Sequence, residues 1–354
     1  MSHSSAGSVP GCTVPTEVIE TLESWQRTVV ITHVTPDADA LGSMCSLAKV
    51  FSEGGGRSAK VSLPENSLSQ RLAFLYDRAR LPVAEPKDFA AADGFVVVDT
   101  ATKSRCNLRK DLPEDWDAGR PLLNIDHHAS NTRFGTINWV VGDAGSSAEL
   151  IYYLIKSWGR SIDPLVASLL YAGIHTDTAG FSLPNTTKSA LAAAAELVGR
   201  GADVTDLGER LCRSQRLSEF KLLRTVYANT RLAAGGRIAY STADHREITE
   251  AGCAAADIDD QVSVPRALYG TRLAMLFTEG VRGQTRINFR GDGGLSVLEL
   301  AQAFSGGGHG SAAGAIVPGT LNEVVPRVLP EAEAYLNRLE QASRSAGGLP
   351  ALEG

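Results

Sequence analysis

The sequence has few of the features that mark secreted, thiolate-metal or membrane proteins. Its five cysteines are odd in number and widely spaced, and no CxxC pair occurs, which excludes a cysteine-based zinc site and fits a reduced cytoplasm. No stretch approaches the roughly 18 uninterrupted apolar residues that a membrane-spanning helix needs. The first dozen residues have neither a basic start nor an apolar core, so we expect a disordered leader rather than a signal peptide. We therefore predict a cytoplasmic protein without membrane association.

Basic and aromatic residues are also scarce. The 34 lysines and arginines against 40 acidic residues give a net charge of −6, which argues against a broad basic face for long duplex nucleic acid. Aromatic residues make up 6% of the chain, and its second half lacks the interleaved lysines and aromatics that bind long single strands. A small anionic substrate is compatible with this acidity, because bound metal ions supply positive charge locally.

The 354 residues are enough for about two domains. In the first half, continuous apolar runs alternate with helical stretches, which is typical of a parallel sheet with helices on both faces. The predicted strands are Val29–Thr32, Phe95–Val98 and Leu122–Ile125, and the predicted helices are Ala40–Ser52, Ser147–Trp158 and Pro164–Ile174.

The second half is predicted to form a helical connector and a smaller α/β domain. The stretch from Thr187 to about Leu232 is predicted to be wholly helical. The predicted strands beyond it are Ile238–Ser241, Leu273–Phe277, Thr285–Phe289 and Ala315–Val317, with helices near Val297–Phe304 and Leu321–Ala342. The predicted organisation is a leader at 1–15, an α/β domain at 16–185, a helical linker at 186–235, a smaller α/β domain at 236–345 and a tail at 346–354.

Each of the three strands predicted in the first half is followed by residue types that bind metals. In chain order these are His33, Asp37 and Asp39, then Asp99, then Asp126, His127 and His128, with Asp177 just past a later helix. Because the carboxyl ends of parallel strands meet at one edge of a sheet, we expect these side chains to converge. Carboxylates and imidazoles without a thiolate suit Mn²⁺, and less specifically Mg²⁺, Co²⁺ or Zn²⁺. A lone aspartate at a strand end is usually only a turn residue or cap, so the prediction depends on the joint pattern.

The number of carboxylates predicts two cations rather than one. Four carboxylates near one point repel each other strongly unless cations are present. Asp37 and Asp39 are two apart on a loop expected to be extended, so they would point to opposite sides and each serve one ion, with Asp99 as a bridge. Two ions about 3.5–4 Å apart activate water and stabilise the entering and leaving oxygens of an in-line displacement at phosphorus. We therefore predict hydrolysis of a phosphate ester.

Five ordered segments resemble the DHH phosphoesterase superfamily. They are ITHVTPDADALGS (31–43), VVVDTATKSR (96–105), NIDHHASNTRFG (124–135), AGIHTDTAGF (172–181) and FSGGGHGSAAGA (304–315). The last is similar to the signature of a DHHA1 domain. Length and layout resemble the oligoribonuclease and pAp-phosphatase group, which hydrolyses very short RNA and 3′-phosphoadenosine 5′-phosphate, with close relatives that cleave cyclic dinucleotides or pApA.

The resemblance implies a role for each motif residue. The first metal would be held by His33, Asp37 and Asp99, and the second by Asp39, Asp99, His127 and Asp177. His128 would face the substrate phosphate or leaving oxygen, and Asp126 would orient a histidine. The substrate would be a short RNA or DNA oligonucleotide or a nucleotide, bound by Arg105, Arg290, Gly306, Gly307, Gly308 and His309. The resemblance also implies a homodimer, with residues 16–185 as the catalytic DHH domain and 236–345 as the substrate-binding DHHA1 domain.

The residues of the second half add chemistry of their own. Three successive glycines allow backbone amides to approach an anion, although a plain turn after a helix explains them equally well. His309 could donate to a phosphate or stack on a base, and Arg290 could clamp a terminal phosphate with two hydrogen bonds. Two positions depart from the family pattern, since Ala38 stands where the first motif usually has glycine and Gly291 where serine often follows the arginine.

Three other functions share part of this pattern. An inorganic pyrophosphatase shares the first four motifs, but the glycine-rich segment argues against it. A single-strand exonuclease of the RecJ type would need a longer and less acidic chain. A nucleotide-binding sensor without catalysis is the third alternative, and the nearly complete set of ligands argues against it.

Overall fold

The chain folds into two units, with the boundary between residues 214 and 215. Each unit has its own sheet and its own hydrophobic core. The structure is a computed structural model, and it describes residues 12–53, 55–64, 67–69, 71–213, 215–253, 258, 260–292, 294–308 and 310–345. The predicted tail at 346–354 and the first eleven residues of the predicted leader lie outside these ranges. Within the leader, Cys12 is buried in the core of the first unit.

The first unit contains a parallel sheet of five strands in the order β2-β1-β3-β4-β5. The strands are β1 (Arg27–Ile31), β2 (Ser58–Val61), β3 (Gly94–Val98), β4 (Leu122–Asp126) and β5 (Ile137–Val140). Strands β3 and β4 are buried at every residue, which explains their continuous apolar sequence. The three predicted strands are confirmed. The edge strands β2 and β5 were missed because they are four residues long and partly exposed, so they carry no continuous apolar run.

Helices cover this sheet as the sequence predicts. They are α1 (Thr16–Ser24), α2 (Ala38–Ser52), α3 (Ala73–Ala79), α4 (Pro86–Ala91), α5 (Ser147–Ser157), α6 (Pro164–Asp177), α7 (Lys188–Gly199) and α8 (Val204–Cys212). The predicted starts of α5 and α6 are confirmed, since Ser146 and Asp163 cap them and Pro164 occupies the first helical position. No helix in the described ranges is both long and apolar enough to cross a membrane.

Glycines allow α2 and α6 to approach each other closely. A Cβ at Gly42 of α2 would lie 2.4 Å from the carbonyl oxygen of Leu169 in α6. A Cβ at Gly173 of α6 would lie 2.6 Å from the Cβ of Ala148 in α5 and 2.7 Å from Oδ1 of Asp39 in α2. These backbones therefore meet at a distance that only glycine permits, next to the predicted metal ligands.

The second unit is built on a mixed sheet of six strands in the order β10-β11-β9-β8-β7-β6. Strands β7 and β8 are parallel and the other neighbours antiparallel. The strands are β6 (Arg231–Ala233), β7 (Ile238–Ala243), β8 (Leu273–Val281), β9 (Gln284–Gly291), β10 (Gly307–Gly308) and β11 (Ala312–Pro318). The helices are α9 (Leu217–Ala228), α10 (His245–Ala251), α11 (Ser263–Arg266), α12 (Leu298–Gln302) and α13 (Leu321–Ser345).

The stretch predicted as one helical connector is shared between the units. Helix α7 buries Ala193 and Leu197 in the core of the first unit, and α9 buries Leu222 and Val226 in a core of the second. The prediction that residues 187–232 are wholly helical was wrong, because the chain leaves the helical conformation between α7 and α8, between α8 and α9 and at the end of the stretch. Arg231–Ala233 form strand β6, because these residues pair with β7 in an antiparallel ladder.

Candidate metal centre

Histidine and aspartate side chains meet at the carboxyl edge of the parallel sheet. His33 follows β1, Asp99 follows β3, and Asp126, the last residue of β4, is followed by His127 and His128. Three groups have donor atoms within 4.8 Å of one another: His33 with Asp37 and Asp99; Asp39 with His127 and Asp177; and Asp99 with His127 and His128. All six predicted metal ligands are therefore in one cluster.

The first group is centred on His33. Its Nε2 lies 3.4 Å from Oδ2 of Asp99 and 4.0 Å from Oδ1 of Asp37. Its Nδ1 lies 2.8 Å from the carbonyl oxygen of Val34, and because a carbonyl only accepts, Nδ1 carries the proton. Nε2 is thereby the ring nitrogen that faces the carboxylates, so this is the atom that a histidine oriented in this way offers to a metal.

The second group is centred on His127. Its Nε2 lies 3.5 Å from Oδ2 of Asp177, 3.6 Å from Oδ1 of Asp99 and 4.0 Å from Oδ2 of Asp39. Its Nδ1 faces the carbonyl oxygen of Ala144 at 3.4 Å. The two oxygens of Asp99 therefore face two different histidines, which is the arrangement of a carboxylate that bridges two cations.

The prediction that Asp37 and Asp39 lie on an extended loop was wrong. The two residues lie at the start of α2, and the geometry of the helix directs their side chains. Asp37 is the N-cap of α2 and accepts a hydrogen bond from the amide of Ala40 at 2.9 Å. Asp39 lies in the first turn of α2 and is buried. Its oxygens accept hydrogen bonds from the amides of Ser147 and Ala148, at 2.7 and 2.8 Å, at the start of α5. The positive end of the α5 dipole therefore holds this carboxylate.

Asp177 is also part of a helix rather than of the loop behind it. It is the last residue of α6, which continues one turn beyond the predicted end at Ile174. The cluster is open to solvent at Asp177 and at Asp37, because their side chains are 28% and 58% exposed, respectively. The side chain of Asp99, by contrast, is only 3% exposed. A substrate can therefore approach at the two outer carboxylates.

His128 is held by Asp126. Its Nδ1 lies 2.6 Å from Oδ1 of the fully buried Asp126, whose Oδ2 accepts from Nδ2 of Asn131 at 2.5 Å. Burial lowers the pKa of His128, but the hydrogen bond to Asp126 and the charge of Asp99 outweigh it and raise that pKa to about 9. The carboxylates around His128 therefore favour its protonated form.

The aspartates do not share their charge evenly. Burial and the charge of Asp99 raise the pKa of Asp39 well above its usual range, and burial raises that of Asp177 to about 7. Asp99 is desolvated as well, but the hydrogen bond from His33 and the charges of the nearby histidines hold its pKa below the usual range. Negative charge is thus concentrated on Asp99, and the remaining acids favour protons or cations.

Asp99 has a strained backbone. Its φ of 53° lies in the left-handed region, which costs a residue other than glycine about 1–3 kcal/mol. Its amide donates to the carbonyl of Ile125 at 3.0 Å, and Oγ of Ser147 donates to its Oδ1 at 3.0 Å. The sheet and α5 therefore hold this carboxylate in a conformation that it would not adopt alone.

Several residues of the site were missed by sequence reasoning. Ser147 and Ala148 were interpreted only as a helix start, although their amides hold Asp39. Asn131 and Gly173 were not singled out. The sequence did carry one signal, since both lie within motifs that also contain ligands, at 124–135 and 172–181.

The predicted substrate-binding residues are distributed over both units. Arg105 is exposed at the end of a short 3₁₀ turn, and its carbonyl accepts from the amide of Val34, beside His33. Arg290 is on β9, opposite Ala312 of β11, and Gly307 and Gly308 form β10. His309 lies outside the described residues.

The glycines of the second unit also have a packing reason. A Cβ at Gly306 would lie 2.2 Å from the carbonyl oxygen of Gly314. Gly308 has a φ of 144°, and a Cβ there would lie 2.6 Å from the carbonyl oxygen of Ala312. Close pairing with β11 therefore requires glycine at both positions.

Comparisons with known proteins agree with this architecture. The model of the DHH family, N-terminal domain, matches residues 27–174, and that of the DHHA1 domain matches residues 235–338. The chain is 31% identical over 310 residues to the bifunctional oligoribonuclease and PAP phosphatase NrnA of Bacillus subtilis, covering 85% of this chain and 93% of that protein. The chain therefore belongs to the DHH family.

Within that family, similarity extends over most of the chain. The protein named bifunctional oligoribonuclease and PAP phosphatase NrnA in Thermus thermophilus is 30% identical over 327 residues, which cover 91% of this chain and 94% of that protein. Among solved structures, an exopolyphosphatase-related protein from Bacteroides fragilis is similar with a TM-score of 0.82 at 23% identity, covering 91% of this chain and 96% of that chain. This last likeness supports the fold.

Proposed function

We propose that this protein is a metal-dependent hydrolase of phosphate esters that cleaves short oligonucleotides, such as nanoRNA and pApA, and 3′-phosphoadenosine 5′-phosphate. The observation that carries the proposal is Asp99, whose two oxygens face His33 and His127. The relatives named oligoribonuclease and PAP phosphatase, which match nearly the whole chain, support the choice of substrate.

The donor set of the cluster fits two divalent cations. His33, Asp37 and Asp99 would hold one, and Asp39, Asp99, His127 and Asp177 the other. Both histidines direct Nε2 at carboxylates while Nδ1 faces a backbone carbonyl, and the three groups found among the described residues contain no cysteine. Imidazole with carboxylate favours Mn²⁺, with Mg²⁺ and Co²⁺ as alternatives. When bound, such cations supply Lewis acidity, which polarises phosphoryl oxygens and lowers the pKa of water.

His128 is the proton donor in this proposal. Its Nδ1 is engaged by Asp126, and Nε2 is the ring nitrogen that would donate to a phosphate oxygen or to the leaving oxygen. Cations would offset the charge of Asp99, but the hydrogen bond from Asp126 would still favour the imidazolium. Asn131 holds Asp126 in turn, so the donor has a fixed orientation.

The remaining assignments are part of the same proposal. Residues 16–185 carry the chemistry, and residues 236–345 bind the nucleotide beyond the scissile bond through Arg290, Gly306, Gly307, Gly308 and His309. Arg105 contacts the substrate phosphate from the catalytic domain. The protein acts in the cytoplasm as a homodimer.

One assay separates the proposal from its alternatives. The full chain, stripped with chelator and restored with Mn²⁺, is offered pAp, pApA, a five-nucleotide RNA, pyrophosphate and long single-stranded DNA. We expect turnover of the first three only. Turnover confined to pyrophosphate or to long DNA would contradict the proposal, and nucleotide binding without turnover would indicate a sensor.

A further inference from the structure

The start of α5 contacts three members of the metal cluster. Residues 144–148, which we call the α5 entry turn, place two amides on Asp39 and the hydroxyl of Ser147 on Asp99. The carbonyl of Ala144 in the same turn faces Nδ1 of His127. The position of this turn therefore sets the orientation of three side chains, one on α2 and the other two just past the ends of β3 and β4.

Glu149 and Asn185 hold the turn through the two peptide groups that flank Gly145. Oε2 of Glu149 accepts a hydrogen bond from the amide of Gly145 at 2.7 Å, and Nδ2 of Asn185 donates to the carbonyl of Gly145 at 2.8 Å. Asn185 also donates to the carbonyl of Asp177 at 3.1 Å, so it ties the turn to the end of α6. A Cβ at Gly145 would lie 2.9 Å from the carbonyl oxygen of Asn185 and 3.1 Å from Oε2 of Glu149. Both residues therefore pack tightly against Gly145.

The burial of Glu149 needs an explanation beyond packing. Its side chain is fully buried, and the partners of its two oxygens among the described residues are an amide and a thiol rather than a cation. The thiol of Cys12 donates to its other oxygen, at 3.6 Å. Burying a carboxylate with neutral partners only is costly, and an apolar side chain would fill the same space at lower cost. A residue retained under these conditions is expected to do something that a leucine cannot do, and here that is to hold the amide of Gly145.

We propose that Glu149 is a positioning residue of the metal centre, which fixes the α5 entry turn so that Asp39, Asp99 and His127 face the cations in the correct orientation. Asn185 assists by holding the carbonyl of Gly145, in the next peptide group. The inference rests on the proposed function only in that the cluster binds divalent cations, and it does not depend on the substrate.

The test is manganese affinity of the full, chelator-stripped chain, measured by titration calorimetry and by the electron paramagnetic resonance of bound Mn²⁺. We expect Glu149→Leu to weaken Mn²⁺ binding 10- to 100-fold, the usual loss for an outer-shell partner, and to broaden the resonance. Glu149→Gln should stay within about threefold of the wild type, because the glutamine oxygen still accepts from the Gly145 amide.

Glu196→Gln is the matched control. Glu196 of α7 anchors α5 away from the cluster, since its Oε2 accepts from the hydroxyl of Tyr152 at 2.5 Å and from Lys156 at 2.6 Å. This variant should lower thermal stability and leave Mn²⁺ affinity unchanged. Equal losses of affinity in Glu149→Leu and Glu196→Gln would overturn the proposal, because any loosening of α5 would then suffice.

The remaining outcomes are equally decisive. A folded Glu149→Leu variant with wild-type affinity overturns the inference. If that variant does not fold, Asn185→Ala carries the test, and wild-type affinity there overturns the inference in the same way. A wild-type chain that binds no Mn²⁺ would overturn the proposed function itself, so the two failures are distinguishable.

Discussion

At the scale of single residues, Asp99 differs from every other ligand in the cluster. It is desolvated and strained, and it keeps a lowered pKa because histidines surround it, whereas burial raises the pKa of Asp39 and Asp177. The site therefore uses one strongly anionic oxygen pair at its centre and weaker acids around it. This difference follows from position, since Asp99 lies between the two histidines.

Asp99→Asn should remove most of the activity. Asparagine has a single, uncharged oxygen and an NH₂ group where aspartate has two carboxylate oxygens. It can therefore present an oxygen to only one of the two histidines. We expect phosphate-ester turnover to fall more than about 100-fold, beyond the usual loss for an outer-shell partner. Asp143→Asn makes the same change on an exposed residue of the first unit and should leave turnover unchanged. Activity within tenfold of the wild type in Asp99→Asn would remove the bridging role.

Asp126→Asn should act on His128 rather than on the metals. The carboxylate is the main reason that the pKa of His128 is raised to about 9, so its loss should move the alkaline limb of the kcat/KM profile to lower pH by about one unit or more. Mn²⁺ affinity should remain within a few-fold, because Asp126 contacts the backbone amide of the ligand His127 and not its ring, and an asparagine oxygen can still accept from that amide. An unchanged alkaline limb would show that His128 is not the group that titrates.

At the scale of secondary-structure elements, the site depends on how closely three helices pack behind the sheet edge. Helices α2, α5 and α6 meet at Gly173, whose missing side chain makes room for Asp39 and Ala148. The positions of the metal ligands on α2 and α6 therefore depend on how closely the backbones of these helices pack.

Gly173→Ala should damage stability and metal binding together. The added methyl group overlaps Oδ1 of Asp39 and the Cβ of Ala148, so we expect a loss of about 1–3 kcal/mol in the free energy of unfolding and weaker Mn²⁺ binding. Gly208→Ala, inside α8 with no atom within 4 Å of the new Cβ, should instead stabilise by about 0.5–1 kcal/mol. Urea unfolding with and without Mn²⁺ measures both. A neutral Gly173→Ala variant would contradict the packing described here.

The sequence predicted the elements that are continuously buried and the site residues that belong to ordered motifs. The central strands and the identity of the cluster followed from apolar runs that end in acids and histidines. The edge strands, α10 and the end of the connector did not, because short and partly exposed segments lack such runs. The hold of α5 on Asp39 was also missed, since residues 39 and 147 are far apart in sequence and only tertiary packing joins them. The substrate-binding assignments stay predictions.

At the scale of the whole molecule, the cluster links stability to pH and metal. Burial raises the pKa of Asp177 to about 7, and hydrogen bonding to Asp126, outweighing burial, raises that of His128 to about 9. A group with a raised pKa in the folded state stabilises the fold at low pH, and this contribution is lost as the pH rises through that value. The lowered pKa of Asp99 has the opposite effect on stability, because its contribution is lost as the pH falls. That loss occurs only at acid pH, below the ordinary pKa of an aspartate.

The metal-free protein should therefore lose stability between about pH 5 and pH 9, and Mn²⁺ should restore it. Cations compete with protons for the same ligands, so the gain in Tm on adding Mn²⁺ should be larger at pH 8 than at pH 6. Calorimetry in chelator and in Mn²⁺ at each pH measures this gain, and the difference cancels groups outside the cluster such as His175. A gain that is equal at both values, or larger at pH 6, would contradict the titration of the cluster.

The most direct test of the central claim is anomalous diffraction at the manganese edge from crystals of the wild-type chain soaked in Mn²⁺. The account predicts two peaks about 3.5–4 Å apart on either side of Asp99, one beside His33 and Asp37 and the other beside Asp39, His127 and Asp177. No peak, or a single peak that Asp99 does not contact, would contradict it.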